Sequence, residues 1–295
     1  MLKRTVTGAI YVAIIVGFFF LRDYVDYRLF NILTFAFCAI GTFEVARAVK
    51  PYLQKGNFTL AVIYGAAFVP VFCVFEYFTR LNGAIACVIL TEVLFFYQWL
   101  SALIRERKVG VAGVKNVFKS FAVNVLPFLY PALLLLTMVC ANELGKEVGF
   151  ICLLLIFAVS PCADTFAYLV GMTYNKIRKG KAKKMCPNLS PKKTWAGAIG
   201  GVIGGIAGAV VVYFAVDKTA ITETAKISPI IAFVLIGVFA SILTEIGDLF
   251  ESYIKRKVGI KDMGRILPGH GGIMDRIDGM SFAAVFVFLT FLLLL

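Results

Sequence analysis

The side chains able to do chemistry gather in the last third of the chain. GDLFESYIKRK, from Gly247, puts Asp248, Glu251, Ser252 and Lys255 at i, i+3, i+4 and i+7, one polar face if the stretch is helical. An intrahelical pair between Glu251 and Lys255, worth roughly 0.2–0.5 kcal/mol, accounts for two of them. It leaves Asp248, which sits deeper in an apolar run, without a role. KDMGRILPGHGGIMDRIDGM, from Lys261 to Met280, follows and holds the chain's single histidine, His270. Pro268, Gly269, Gly271 and Gly272 exclude helix interior around His270 and favour tight turns with close backbone approach. Asp275 and Asp278 then stand at i and i+3, with Arg276 between them, at the start of the last apolar run. A helical hairpin would bring them near Asp248 and make an oxygen-rich site suited to magnesium. A favourable charge at a helix amino terminus would explain one aspartate, but not three that converge.

Two upstream stretches add to this. In DTFAYLVG, Asp164, Ala167, Tyr168 and Gly171 recur at helical spacing. That face is either a ligand surface carrying an acid, a phenol and small residues, or a packed seam between helices. In SPKKTWAGAIGGVIGG, the spacing predicts a helix beginning with Ser190 as N-cap and Pro191 in its first turn. Lys192 and Lys193 would then lie at the positive end of that helix, as anion binders or as basic anchors at the membrane edge. Gly197, Gly201 and Gly205, interleaved with Gly200, Gly204 and Gly208, predict close helix packing rather than catalysis. Magnesium beside lysines points to phosphate or pyrophosphate.

The elements that must carry these residues are membrane helices. The chain has 295 residues, 60% hydrophobic and 16% charged, with mean hydropathy +0.89, too apolar for a soluble core. Nine runs are long enough to cross a bilayer, near 5–21, 29–46, 58–78, 83–104, 121–140, 148–171, 195–216, 228–250 and 279–295. Lys3 and Arg4 precede the first, and Arg22-Asp23 follows it in place of small residues, which reads as a retained anchor. Counted over alternate loops, 24 Lys and Arg fall on the side of the amino terminus and six on the other: Arg22, Arg28, Arg80, Lys146, Lys218 and Lys226. The expected architecture is therefore an all-α polytopic membrane protein with about nine transmembrane helices and a cytoplasmic amino terminus. Its polar site lies at the cytoplasmic end of the C-terminal helices. Residues 1–140 form five N-terminal spans, and 141–295 a catalytic portion of four spans with two basic loops. The net charge of +13 is a topology signal with attraction to anionic lipid, so no nucleic-acid partner is expected. Seven cysteines without a CxxC pair indicate neither a disulfide framework nor a zinc site. Acids within spans are costly; Glu44, Glu92 and Glu245 are the others, and Glu92 and Glu245 read best as hydrogen-bonding between helices. An ion-coupled transporter would spread such acids through the membrane depth, whereas these cluster toward one face.

GDLFESYIKRKVGIKDMGRILPGHGGIMDRID resembles the signature of the phosphatidate cytidylyltransferases, the CDP-diacylglycerol synthases, and DTFAYLVG and SPKKT resemble that family's upstream motifs. The first five spans match only in character. The resemblance implies transfer of a cytidylyl group from CTP to phosphatidic acid, with magnesium and a second cation such as potassium. It also implies a homodimer in the cell membrane with its active site facing the cytoplasm. It would make Asp248 and Asp275 the first metal ligands, with Asp278 and Asp164 next in line. Lys192, Lys193 and Arg276 would hold the triphosphate and the leaving pyrophosphate. Gly269, His270, Gly271 and Gly272 would shape the nucleotide loop. Asp164, Tyr168, Ser190, Thr194, Glu251, Ser252, Lys255, Arg256, Lys261 and Asp262 would contact substrate or support those that do. A CTP-dependent lipid or polyprenol kinase is the nearer rival, and the full PGHGG-to-DRID run favours cytidylyl transfer. One departure stands out: the family usually has Glu or Gln after SPKKTW, where this chain has Ala196. If that acid assists catalysis or fixes a lysine, another residue must supply the role here or activity falls.

Overall fold

The computed structural model describes residues 2–79, 82–108, 114–217, 219–222 and 225–294. Of the basic residues counted above, Arg80 and Lys218, and the side chains of Lys3, Arg4, Lys108 and Lys115, lie outside the described set. The helices are α1 (Leu2–Tyr24), α2 (Phe30–Val49), α3 (Asn57–Phe78), α4 (Gly83–Lys108), α5 (Val114–Phe128), α6 (Leu134–Asn142), α7 (Lys146–Ile177), α8 (Trp195–Ala215), α9 (Thr219–Thr222), α10 (Pro229–Lys257) and α11 (Met274–Leu294). Two short strands, β1 (Lys184–Cys186) and β2 (Ser190–Thr194), pair antiparallel. Among the described residues, nine helical stretches are long and apolar enough to cross a membrane, each overlapping one of the nine sequence runs. The protein is a multi-pass membrane protein.

The chain forms two compact units. The first comprises residues 1–8, 31–136 and 262–274. Its helices are tied by buried polar pairs: Asn57 and Gln98 exchange hydrogen bonds of 2.9 and 3.1 Å, and the Tyr64 and Thr91 hydroxyls lie 2.8 Å apart. In an apolar medium such pairs satisfy donors that lipid cannot. Pro127 and Pro131 interrupt the fifth span, and a single wide turn, Leu129–Leu133, joins α5 to α6. Glu92 is exposed on α4, which removes it from the helix-to-helix role expected of it.

The second unit comprises residues 9–30, 137–261 and 275–295. Most of α1 thus packs with helices far along the chain. Phe19 meets Phe30, Phe150 and Phe157 with ring centroids 5.1–5.8 Å apart. Arg22 is fully buried and donates to Asn142 Oδ1 at 2.8 Å, Lys146 O at 2.7 Å and Gly145 O at 3.1 Å. The glycine ridges of α8 behave as their spacing predicts. A Cβ on Gly204 would stand 2.5 Å from Phe166 Cβ and one on Gly200 2.6 Å from Val170 Cβ, so this ridge seats α7. A Cβ on Gly205 would stand 2.6 Å from both Gly237 O and Ser241 Cβ, so this glycine seats α10, while Gly197 and Gly201 of the same ridge lie against α7. On the next seam, Gly247 of α10 faces Asp278 O of α11 with room for no side chain. These close approaches bring α7, α8, α10 and α11 within reach of one another's polar groups.

Candidate functional site

Within the second unit, α7, the β hairpin, α8 and α10 enclose a cavity of about 460 Å³. Asp164, Ala167, Tyr168 and Gly171 of α7 all line it, as their helical spacing predicted, together with Asn175 one further turn on. The same small residues also serve the seam, since a Cβ on Gly171 would lie 3.4 Å from Gly197 Cα and one on Gly197 2.8 Å from Ala167 O. The face therefore lines a cavity and packs a seam at once. Lys192, Lys193 and Thr194 enter from the hairpin, and Glu245 and Asp248 from α10.

The hairpin corrects one expectation. Ser190 and Pro191 do not start a helix; they lie in β2, with Ser190 opposite Cys186, and α8 begins at Trp195. Thr194 is the N-cap, its hydroxyl accepting from Gly197 N at 3.0 Å. The cap residue needs an extended backbone, and that extension continues back through the two lysines, so they leave the helix end as a strand. Lys192 is exposed at the cavity, whereas Lys193 turns inward. Its ammonium lies 2.5 Å from Glu245 Oε2 and 2.7 Å from Asp248 Oδ2. Burial opposes the charge on Lys193, but the Asp248 and Glu245 carboxylates outweigh it and hold its pKa above the ordinary lysine value. Glu245 thus fixes a lysine of the cavity. Its signal in the sequence was its place one turn before Asp248 on the same helix.

A carboxylate cluster adjoins the cavity through Asp248. One oxygen from each of Asp248, Glu251 and Asp278 lies within 4.8 Å of the others. Asp275, placed among the metal ligands above, is held by the ammonium of Lys255 at 2.9 Å, and the same ammonium pairs with Glu251. Glu251 therefore stands in the cluster where Asp275 was expected. Glu251 is fully buried, and among the described residues its second oxygen, Oε1, has no hydrogen-bond partner. An all-oxygen donor set with a buried acceptor lacking a donor fits a small hard cation.

The remaining residues divide. Ser252 is buried on α10; Arg256 is exposed and donates to Leu189 O and Ile260 O, each at 3.4 Å, bracing the hairpin. Lys261, Asp262 and Arg276 are exposed. In the first unit, Gly269 and Gly271 take φ of 79° and 89°, which an L side chain rarely adopts, and His270 N donates to Leu267 O at 2.9 Å. Gly272 is buried in that turn, and the His270 ring packs beside Gly8.

A model of the cytidylyltransferase family matches residues 2–294. A phosphatidate cytidylyltransferase of Rickettsia conorii is 29% identical over 236 residues, 80% of this chain and 92% of that protein. Proteins of the same name from Brucella abortus biovar 1 and Mycobacterium bovis are 40% and 41% identical over 141 and 133 residues. Those matches cover 48% and 45% of this chain, and 47% and 38% of the two relatives, so this chain spans about half the length of the Brucella protein. The family match takes in α1 and α11 alike, and with them every carboxylate and lysine of the site: the chain belongs to the cytidylyltransferase family.

Proposed function

We propose that the protein is a phosphatidate cytidylyltransferase, joining CTP and phosphatidic acid to give CDP-diacylglycerol and pyrophosphate. The observation that carries the reading is Lys193, a cation held between Glu245 and Asp248 inside a cavity that borders the cluster of Asp248, Glu251 and Asp278. A site that sets an ammonium beside closely spaced carboxylates suits a polyphosphate bound with its counter-cation. In the reaction, an oxygen of the lipid phosphate forms a bond to the α-phosphorus of CTP while the bond to the β-phosphate oxygen breaks. A phosphate monoester is largely dianionic near neutral pH and needs no strong base. Positioning and charge neutralisation carry the rate.

Lys193 and Lys192 hold phosphate oxygens at the cavity, with Arg276 as a further cation. Asp248, Glu251 and Asp278 would hold a magnesium ion, which when bound supplies charge neutralisation for the triphosphate and the leaving pyrophosphate. Lys255 keeps Glu251 and Asp275 in place from the other side. On the outward faces of α7 and α8, Phe166, Leu169, Ile199 and Ile203 are exposed, an apolar surface along which a lipid substrate reaches the cavity from the bilayer. On this reading the site faces the cytoplasm from the cell membrane, which the distribution of basic residues over the loops supports, and the protein works as a homodimer.

The test is a detergent-micelle assay with magnesium, phosphatidic acid and CTP labelled separately in its α and γ phosphates, run beside Asp248→Asn. The expected result is α label in the lipid with pyrophosphate released, both lost in the variant. Lipid that gains only the γ label would make the protein a kinase and overturn the reading.

A further inference from the structure

In the first unit, the carboxylate of Glu44 on α2 is 1% exposed and buried in the glycine loop. Its Oε2 accepts a hydrogen bond from Met274 N at 2.9 Å, at the first residue of α11. Two glycines of the loop lie against it. A Cβ added to Gly264 would run into Glu44 Oε1, and one added to Gly272 into Glu44 Oε2. Backbone from both ends of the turn thus wraps one carboxylate that arrives from a helix more than 200 residues earlier in the chain.

From this geometry we propose that Glu44 is the post on which the loop of residues 262–274 folds, and so a positioning residue for the reaction. A buried carboxylate is costly unless its oxygens receive donors. The orphan N–H groups at a helix amino terminus are such donors, and the partial positive charge there adds to the attraction. The bond fixes where α11 begins, one residue before Asp275 and four before Asp278. It also assigns Gly264 and Gly272 a role distinct from that of Gly269 and Gly271. The first pair is glycine because a carboxylate fills the side-chain space, the second because the turn needs positive φ. The catalytic half of the proposal rests on the function proposed above; the structural half does not.

Hydrogen exchange of the detergent-solubilised full chain tests the structural half without reference to activity. Glu44→Ala should raise exchange in the 262–274 segment roughly ten-fold or more, the size of a lost hydrogen bond to a charged group, and leave α8 and α10 protected. Glu44→Gln keeps an acceptor oxygen and should recover most of the protection. Gly272→Ala should loosen the same segment, and Glu44→Asp, which withdraws the carboxylate by one methylene, should partly repair it. That last pair carries the test if Glu44→Ala does not fold. Unchanged exchange in Glu44→Ala, or effects of Gly272→Ala and Glu44→Asp that simply add, would overturn the proposal. In the transfer assay, Glu44→Ala should lower kcat/KM for CTP with KM for the lipid little changed, and Glu44→Gln should restore most of it. Wild-type protein that transfers no cytidylyl group while the exchange results hold would sink the functional reading and leave the Glu44 post standing. An active wild type with an indifferent loop would do the reverse.

Discussion

Asp278→Asn should make the protein more stable and less active. Three carboxylate oxygens lie within 4.8 Å of one another, so Asp278 faces two like charges at or inside that distance. Two unit charges 4.8 Å apart repel by about 3.5 kcal/mol at an effective dielectric of about 20. Lys255 offsets part of this, and the side chain of Asp248 is 35% exposed, so solvent screens another part. About 1–2 kcal/mol should survive as a net gain when the charge is removed from an isosteric side chain. In a chain of this size that raises the thermal midpoint by roughly 2–6 °C. The assay is a melt in detergent with EDTA, repeated across a magnesium titration. Wild-type protein should be stabilised by magnesium, by about 2.7 kcal/mol at a hundred times the dissociation constant, and the variant far less. Its transferase rate should fall roughly a hundred-fold or more. A lower midpoint in EDTA together with an undiminished magnesium shift would refute the reasoning, because the three carboxylates would then be neither strained against one another nor a cation site.

Two further outcomes follow from the same geometry. Glu245→Gln removes one of the two anions on Lys193 and should lower kcat/KM for CTP by roughly ten- to a hundred-fold, while adding Ala196→Glu should return part of it; steady-state kinetics of the three proteins would show whether the lysine's anchor can move between helices. Gly205→Ala would drive a methyl to 2.6 Å from Gly237 O and should destabilise the protein by about 1–3 kcal/mol, a loss readable as a lower thermal midpoint with KM values unchanged in whatever folds.

The parts legible in the sequence were those that local periodicity encodes. Each of the nine apolar runs overlaps a membrane-length helical stretch among the described residues, because lipid forces backbone pairing inside each segment. Asp164, Tyr168 and Gly171 share a cavity, and Gly200, Gly204 and Gly205 mark close packing, because helical spacing alone fixes which side chains share a face. What escaped were choices made across space. Ser190 and Pro191 carry a good helix-start signal, yet pairing with β1 and the cap at Thr194 moved the start to Trp195. Asp275 and Glu251 are both one turn from a neighbouring acid and both pair with Lys255, and only the packing of α10 against α11 decides that Glu251 stands with Asp248 and Asp278. Glu44 is one acid in an apolar helix, and nothing near it in sequence names the loop it holds.

Arg22 sets an order of assembly. Its guanidinium is sealed from solvent, and its partners are Asn142 and the carbonyls of Gly145 and Lys146, at least 120 residues downstream. A charge without partners is expensive in hydrocarbon, so α1 reaches its final seat only once the turn between α6 and α7 has been made. A helix that precedes that turn in the chain thus locks after it, and an obstacle to making residues 142–146 would leave Arg22 without its partners.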